Sequence, residues 1–145
     1  MSNSQFNLAD FLPYQLSITS NAVSNKIARK YRDDFGLKVT EWRIMANLAD
    51  LKSATQRELT AGTLMDKVAV NRACKVLEQR GLAVRLPNRK DGRSHHLELT
   101  QEGRAMHSKI VPVAREVERK LLETLGEEQE QILRDLLEQI RIQAE

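Results

Sequence analysis

The stretch from Asp66 to Thr100 constrains this chain more than any other. Val70, Ala73, Cys74 and Leu77 recur at spacings of three and four, the period of a helix with one face turned to a core. Asp66 stands just ahead, where a carboxylate accepts from the free N–H groups of a first turn. Gly81 stands where a left-handed residue ends a helix. Val84 then opens an extended run, and Leu97 and Leu99 alternate as in a half-buried strand. Between the two runs, Asp91-Gly92 is a tight hairpin signal. The order is helix, strand, basic loop, strand. Lys67, Asn71, Arg72 and Lys75 are left on the outer side of the helix.

Charge is concentrated on the same stretch. The whole chain of 145 residues carries a net charge of only +3. From Asp66 to His95 there are eight basic and three acidic residues, a net of +5. From Gln101 to Glu145 there are seven basic and ten acidic residues, a net of −3. A cationic helix face beside a cationic hairpin suits a polyanion. Lys67, Asn71, Arg72 and Lys75 would reach a DNA major groove. Arg89 and Arg93 extend the basic field along the hairpin. Arg93 suits a narrow, electronegative minor groove, with Asp91 ordering it through a charge-assisted hydrogen bond. A solvated basic loop has the same composition.

The rest of the chain reads as helices. Residues 1 to 9 form a loose arm, and Asp10 with Pro13 starts a long helix that runs to Gly36. Thr40 caps the next, with Trp42, Met45, Leu48 and Ala49 as its inner face. Thr55-Gln56-Arg57-Glu58 is a capping box that opens a short third helix. That helix and the one after Asp66 make a helix-turn-helix, with Thr55, Gln56 and Arg57 near phosphate or, for Thr55, only capping. Thr100 caps a fifth helix, in which Pro112 predicts a kink. Gly126 interrupts, and Glu127 to Gln143 forms a last helix. Its Ile132, Leu133, Leu136, Leu137 and Ile140 make a coiled-coil-like seam. A chain this short has little core for two long amphipathic helices, so their stripes predict a second subunit.

Here the chain resembles a family. Arg85-x5-Asp91-x-Arg93 followed by Leu97-x-Leu99-Thr100-x2-Gly103 is similar to the wing signature of the MarR (multiple-antibiotic-resistance) regulators. Met65-Asp66-Lys67 and Leu77-Glu78-x-x-Gly81-Leu82 resemble that family's recognition helix and its end. The chain departs from the pattern at Val68 and Ala69, where many relatives have small hydroxyl residues. The resemblance implies a winged helix-turn-helix, an obligate dimer, and a transcription regulator released from DNA by a ligand or oxidant. The expected fold is mainly α with a small two- to three-stranded β wing. Residues 1–36 and 101–145 supply dimerisation helices, and 37–100 the DNA-binding domain. The expected partners are double-stranded DNA, a second copy of the chain, and a small-molecule effector.

Other chemistry finds less support. Neither a glycine-rich phosphate loop nor G-x-S-x-G is present, so no enzyme is expected. His95 and His96 are adjacent on a strand and point to opposite faces. With His107 and Cys74 they match no ligand spacing, and neither metal nor cofactor is expected. Cys74, the one cysteine, offers a redox-sensor alternative, but it lies on the inward stripe. Ser17, Asn21 and Ser24 share a face of the first helix. Trp42 and Arg43 open the second. A cation beside an aromatic ring suits an aromatic carboxylate or its thioester. A solvated helix face with a surface arginine is the plainer reading. No apolar run spans a membrane and no leader is visible, so the expected location is the cytoplasm. A protein-interaction module, using the last helix, is the alternative from another class.

Overall fold

The computed structural model describes residues 5–87 and 94–145. Contacts divide the chain into two units, Met1–Ile110 and Val111–Glu145.

In the first unit a single 3-10 turn, Leu8–Asp10, precedes helix α1, Leu12–Phe35. Asp10 does not cap α1. It lies inside the turn, whose Ala9 N–H is met by the Asn7 side chain, and Phe11 leads into the helix with extended backbone. Pro13 sits in the first turn as expected. Gly36 ends the helix in the left-handed region, at φ 65°. Helix α2, Val39–Leu51, also starts earlier than Thr40. The Glu41 carboxylate reaches back and accepts the Lys38 N–H at 3.1 Å, which leaves Thr40 inside the first turn. Ile44, Met45 and Leu48 of α2 are buried, and Trp42 is half-buried.

The capping box at Thr55 is present. Its hydroxyl accepts the Glu58 N–H at 3.1 Å, and Glu58 accepts the Thr55 N–H at 3.3 Å. Helix α3, Gln56–Thr63, follows. Just before it, Ala54–Thr55 forms a two-residue strand, β1. Helix α4 is Lys67–Gln79, strand β2 is Ala83–Pro87 and strand β3 is His95–Leu99. The sheet is antiparallel with order β1-β3-β2, pairing Ala54 with Leu97 and Ala83 with Leu99. Leu59, Val70, Cys74, Leu77 and Leu97 are wholly enclosed, as are Ile44, Met45 and Ile110. Burying aliphatic surface of this kind is the main stabilising term at about 25 cal/mol per Å².

Helix α5, Gln101–Leu121, leaves the sheet through a tight junction. The Thr100 hydroxyl accepts the Gly103 N–H at 3.0 Å, the expected cap, and donates to the Gly81 carbonyl at 2.6 Å. The Thr100 N–H reaches the Leu82 carbonyl at 3.0 Å. A side chain at Gly103 would strike that same Leu82 carbonyl. The wing signature is therefore partly a packing rule for this junction. Helix α5 continues through Pro112, which has no N–H for the Ser108 carbonyl.

The second unit holds the end of α5 and helix α6, Glu127–Ala144. Gln129 accepts the Gly126 N–H at 3.2 Å and so closes the first turn. Arg134 links Glu130 at 2.6 Å and Glu118 at 3.5 Å, tying α6 to the end of α5. Ile132, Leu133, Leu136, Leu137 and Ile140 are all exposed in the single chain.

Candidate nucleic-acid interface

Helices α3 and α4 are joined by a turn in which Leu64 is left-handed, at φ 53°. Its N–H still reaches the Thr60 carbonyl at 3.1 Å. Asp66 then caps α4, accepting the Ala69 N–H at 2.9 Å. Val70, Ala73, Cys74 and Leu77 are buried as the period requires. The opposite face is open: Lys67, Arg72 and Lys75 are exposed, and Asn71 is half-buried. Helix α4 thus stands on the domain with a cationic outer edge, the arrangement that fits a major groove.

The far end of α4 is fastened in three ways. The Leu82 N–H bonds to the Leu77 carbonyl at 2.9 Å and the Gly81 N–H to Glu78 at 3.1 Å, with Gly81 at φ 73°. This is a Schellman closure. Arg85 on β2 grips the Glu78 carboxylate through two nitrogens, at 3.0 and 3.2 Å. That bond raises the arginine pKa further above its ordinary value. Arg80 donates to the carbonyls of Gly36 and Phe35, both at 3.0 Å, and so joins α4 to the end of α1. The orientation of α4 toward β2 and α1 is fixed by these bonds.

On α3, Arg57 is exposed and Gln56 half-buried. Gln56 donates to the Asn71 side chain at 3.3 Å, a link between the two helices that spacing along the chain does not reveal. The Thr55 hydroxyl serves the cap described above. Arg89, Asp91 and Arg93 lie outside the described residues.

The five residues of the expected effector site are spread out. Trp42 packs against Tyr31 of α1 with ring centroids 5.3 Å apart, and stacks on His107 of α5 at 5.5 Å. Arg43 is exposed at its side. Ser17, Asn21 and Ser24 precede Tyr31 by fourteen, ten and seven residues on α1. At 1.5 Å per residue that puts Ser17 about 21 Å along the axis, and Ser24 about 10 Å. Within one chain Ser24 is the nearest of the three to Trp42, and it alone is half-buried. His107 also lines a cleft of about 490 Å³, with Lys52, Glu98, Arg104 and Ser108 among others.

Cys74 is fully enclosed, and burial pushes its thiol up to about 11. Arg85 lowers it by less than burial raises it. Among the described residues no three of His, Cys, Asp and Glu gather as metal ligands. No described helix is long and apolar enough to cross a membrane.

The model of the MarR family matches residues 35–94. None of the curated proteins matches the chain in sequence. A MarR/EmrR family transcriptional regulator from Acinetobacter sp. ADP1 is 27% identical, with a TM-score of 0.89 over 96% of this chain and 98% of that one. BpsR of Bordetella bronchiseptica, whose DNA binding is regulated by 6-hydroxynicotinic acid, is 17% identical with a TM-score of 0.87 over 95% and 98% of the two chains. A mutant MarR of E. coli complexed with operator DNA is 22% identical, with a TM-score of 0.75 over 87% and 93%.

Proposed function

The winged helix-turn-helix of this chain belongs to the MarR family, and from that premise we propose a ligand-responsive repressor that binds a pseudo-palindromic operator as a homodimer. The carrying observation is the outer face of α4. Arg72 and Lys75 stand opposite a fully buried stripe, with Asn71 at its edge and Lys67 exposed in the first turn, so the helix offers its polar side and keeps its apolar side. Arg57, exposed in the first turn of α3, would meet a phosphate. Arg93, with Arg89 and Asp91 in the loop between β2 and β3, would enter the adjoining minor groove. The E. coli relative solved on operator DNA supports this use of the fold. Footprinting with the full-length protein would locate the operator. The logarithm of its binding constant should fall linearly with the logarithm of salt concentration, because neutralised phosphates release counterions. Salt-independent binding would sink the reading.

For the effector we propose an aromatic carboxylate, held by Arg43 against the Trp42 ring, with Ser24 as the nearest α1 donor and Asn21 and Ser17 further along. 6-Hydroxynicotinic acid, which regulates a relative of the same fold, belongs to this chemical class. A ligand shifts DNA binding only by its differential affinity for the two states, and a coupling of ~1–3 kcal/mol is enough. The check is titration of the operator complex with benzoates and hydroxycinnamates, wild type beside Arg43→Ala. The variant should bind operator normally and resist release. Equal release of both would remove Arg43 as the anchor. The enclosure of Cys74 speaks against control by oxidation.

A further inference from the structure

The outer face of α4 holds one residue that its cationic reading does not use. Val68 is 59% exposed. A single exposed valine is ordinary on a protein surface. Its position makes this one informative. Val68, Asn71, Arg72 and Lys75 stand at i, i+3, i+4 and i+7, so the valine heads the same stripe as the three polar residues. The buried stripe of Val70, Ala73, Cys74 and Leu77 faces the other way. Val68 also lies in the first turn of α4, the part of a recognition helix that approaches the bases most closely. It can neither donate nor accept a hydrogen bond. The one apolar group that a base pair shows in the major groove is the C5-methyl of thymine.

Resting on the DNA-binding reading above, we propose that Val68 is a specificity-determining residue that packs on a thymine methyl group in each operator half-site. Asn71 stands one turn further on; its Oδ1 accepts from Gln56 but keeps a second lone pair, so its amide can still meet the N6 and N7 edge of adenine. The two together select A·T pairs within the contacted half-site. A serine at position 68 would lose this preference, because its hydroxyl suits several bases and it carries no methyl group.

The test uses the full-length protein and a duplex selected from a random-sequence library. Each thymine of that duplex is replaced in turn by deoxyuridine, which removes the methyl and leaves pairing intact. One position per half-site should lower wild-type affinity by about four-fold, the worth of one buried methyl group. With Val68→Ala, affinity for the thymine duplex should fall, and the same replacement should then matter little. Because Val68 is exposed, the variant should melt no lower than wild type. Uniform tolerance of deoxyuridine by the wild type would overturn the proposal. So would a sensitive position that stays equally sensitive in Val68→Ala. Failure to select any duplex would instead remove the DNA-binding reading itself.

Discussion

Gly103 shows how a single residue holds the reading head to the rest of the chain. A methyl group there would collide with the carbonyl oxygen of Leu82 and press on Leu99. Both neighbours are buried, and the Leu82 carbonyl already accepts from Thr100. Gly103→Ala should therefore cost about 1–3 kcal/mol, the usual scale of overpacking. The denaturant midpoint should drop with an unchanged slope. A midpoint equal to wild type would mean that the junction relaxes freely. Cys74 gives a second test at this scale. Its thiol moves from an ordinary 9.0 to about 11 in the fold. Below pH 9 both states keep the proton. Between 9 and 11 the unfolded chain ionises while the folded one does not, so stability should fall as pH rises through that window. Cys74→Ala should flatten that part of the curve. At neutral pH a thiol reagent should label Cys74 only as fast as the fold opens. Rapid labelling would restore the redox reading.

At the scale of elements, what could be read in advance was local in the chain. The capping box needs only Thr55 and Glu58, three residues apart, and both bonds form. Thr55→Ala should cost about 1 kcal/mol, because a helix start loses its acceptor. A thermal melt unchanged by the substitution would show that β1 holds the start of α3 alone. The buried stripe of α4, the left-handed Gly81 and the Thr100 cap were legible for the same reason. The starts of α1 and α2 were not. At α2 the acceptor is a glutamate inside the helix reaching back, so the first polar residue in view, Thr40, misplaces the boundary. Strand β1 is two residues long and owes its existence to pairing with β3. No local pattern encodes that. The Gln56–Asn71 bond and the Trp42–His107 stack join residues 15 and 65 positions apart. Such contacts depend on the folded arrangement. For the same reason, Ser17, Asn21 and Ser24 could be placed on one helix face while their distance from Trp42 could not.

At the scale of the molecule, the single chain leaves too much apolar surface open. In the second unit Ile132, Leu133, Leu136, Leu137 and Ile140 are exposed on α6, and in the first unit Phe11 is exposed just before α1 and Leu12 and Ile18 on its first half. Isolated monomers rarely leave apolar patches such as the α6 seam uncovered. A second copy is the proposed cover, and it would also supply the second head for a two-part operator. Leu136→Asp should put an unpaired carboxylate into that seam, so the dimer should dissociate or unfold. Light scattering at low micromolar concentration would report it, and operator affinity should fall in parallel. A mutant that stays dimeric would place the contact elsewhere. Within the first unit, Arg80 has a mechanical consequence. Its fork spans 44 residues of sequence to hold the last carbonyls of α1. A hydrogen bond tolerates only a few tenths of an ångström before it weakens. Were α1 to slide along its own axis, the fork would have to follow or let go. Helix α4 would then be driven or disengaged, as a pushrod drives a lever through a pin with little slack.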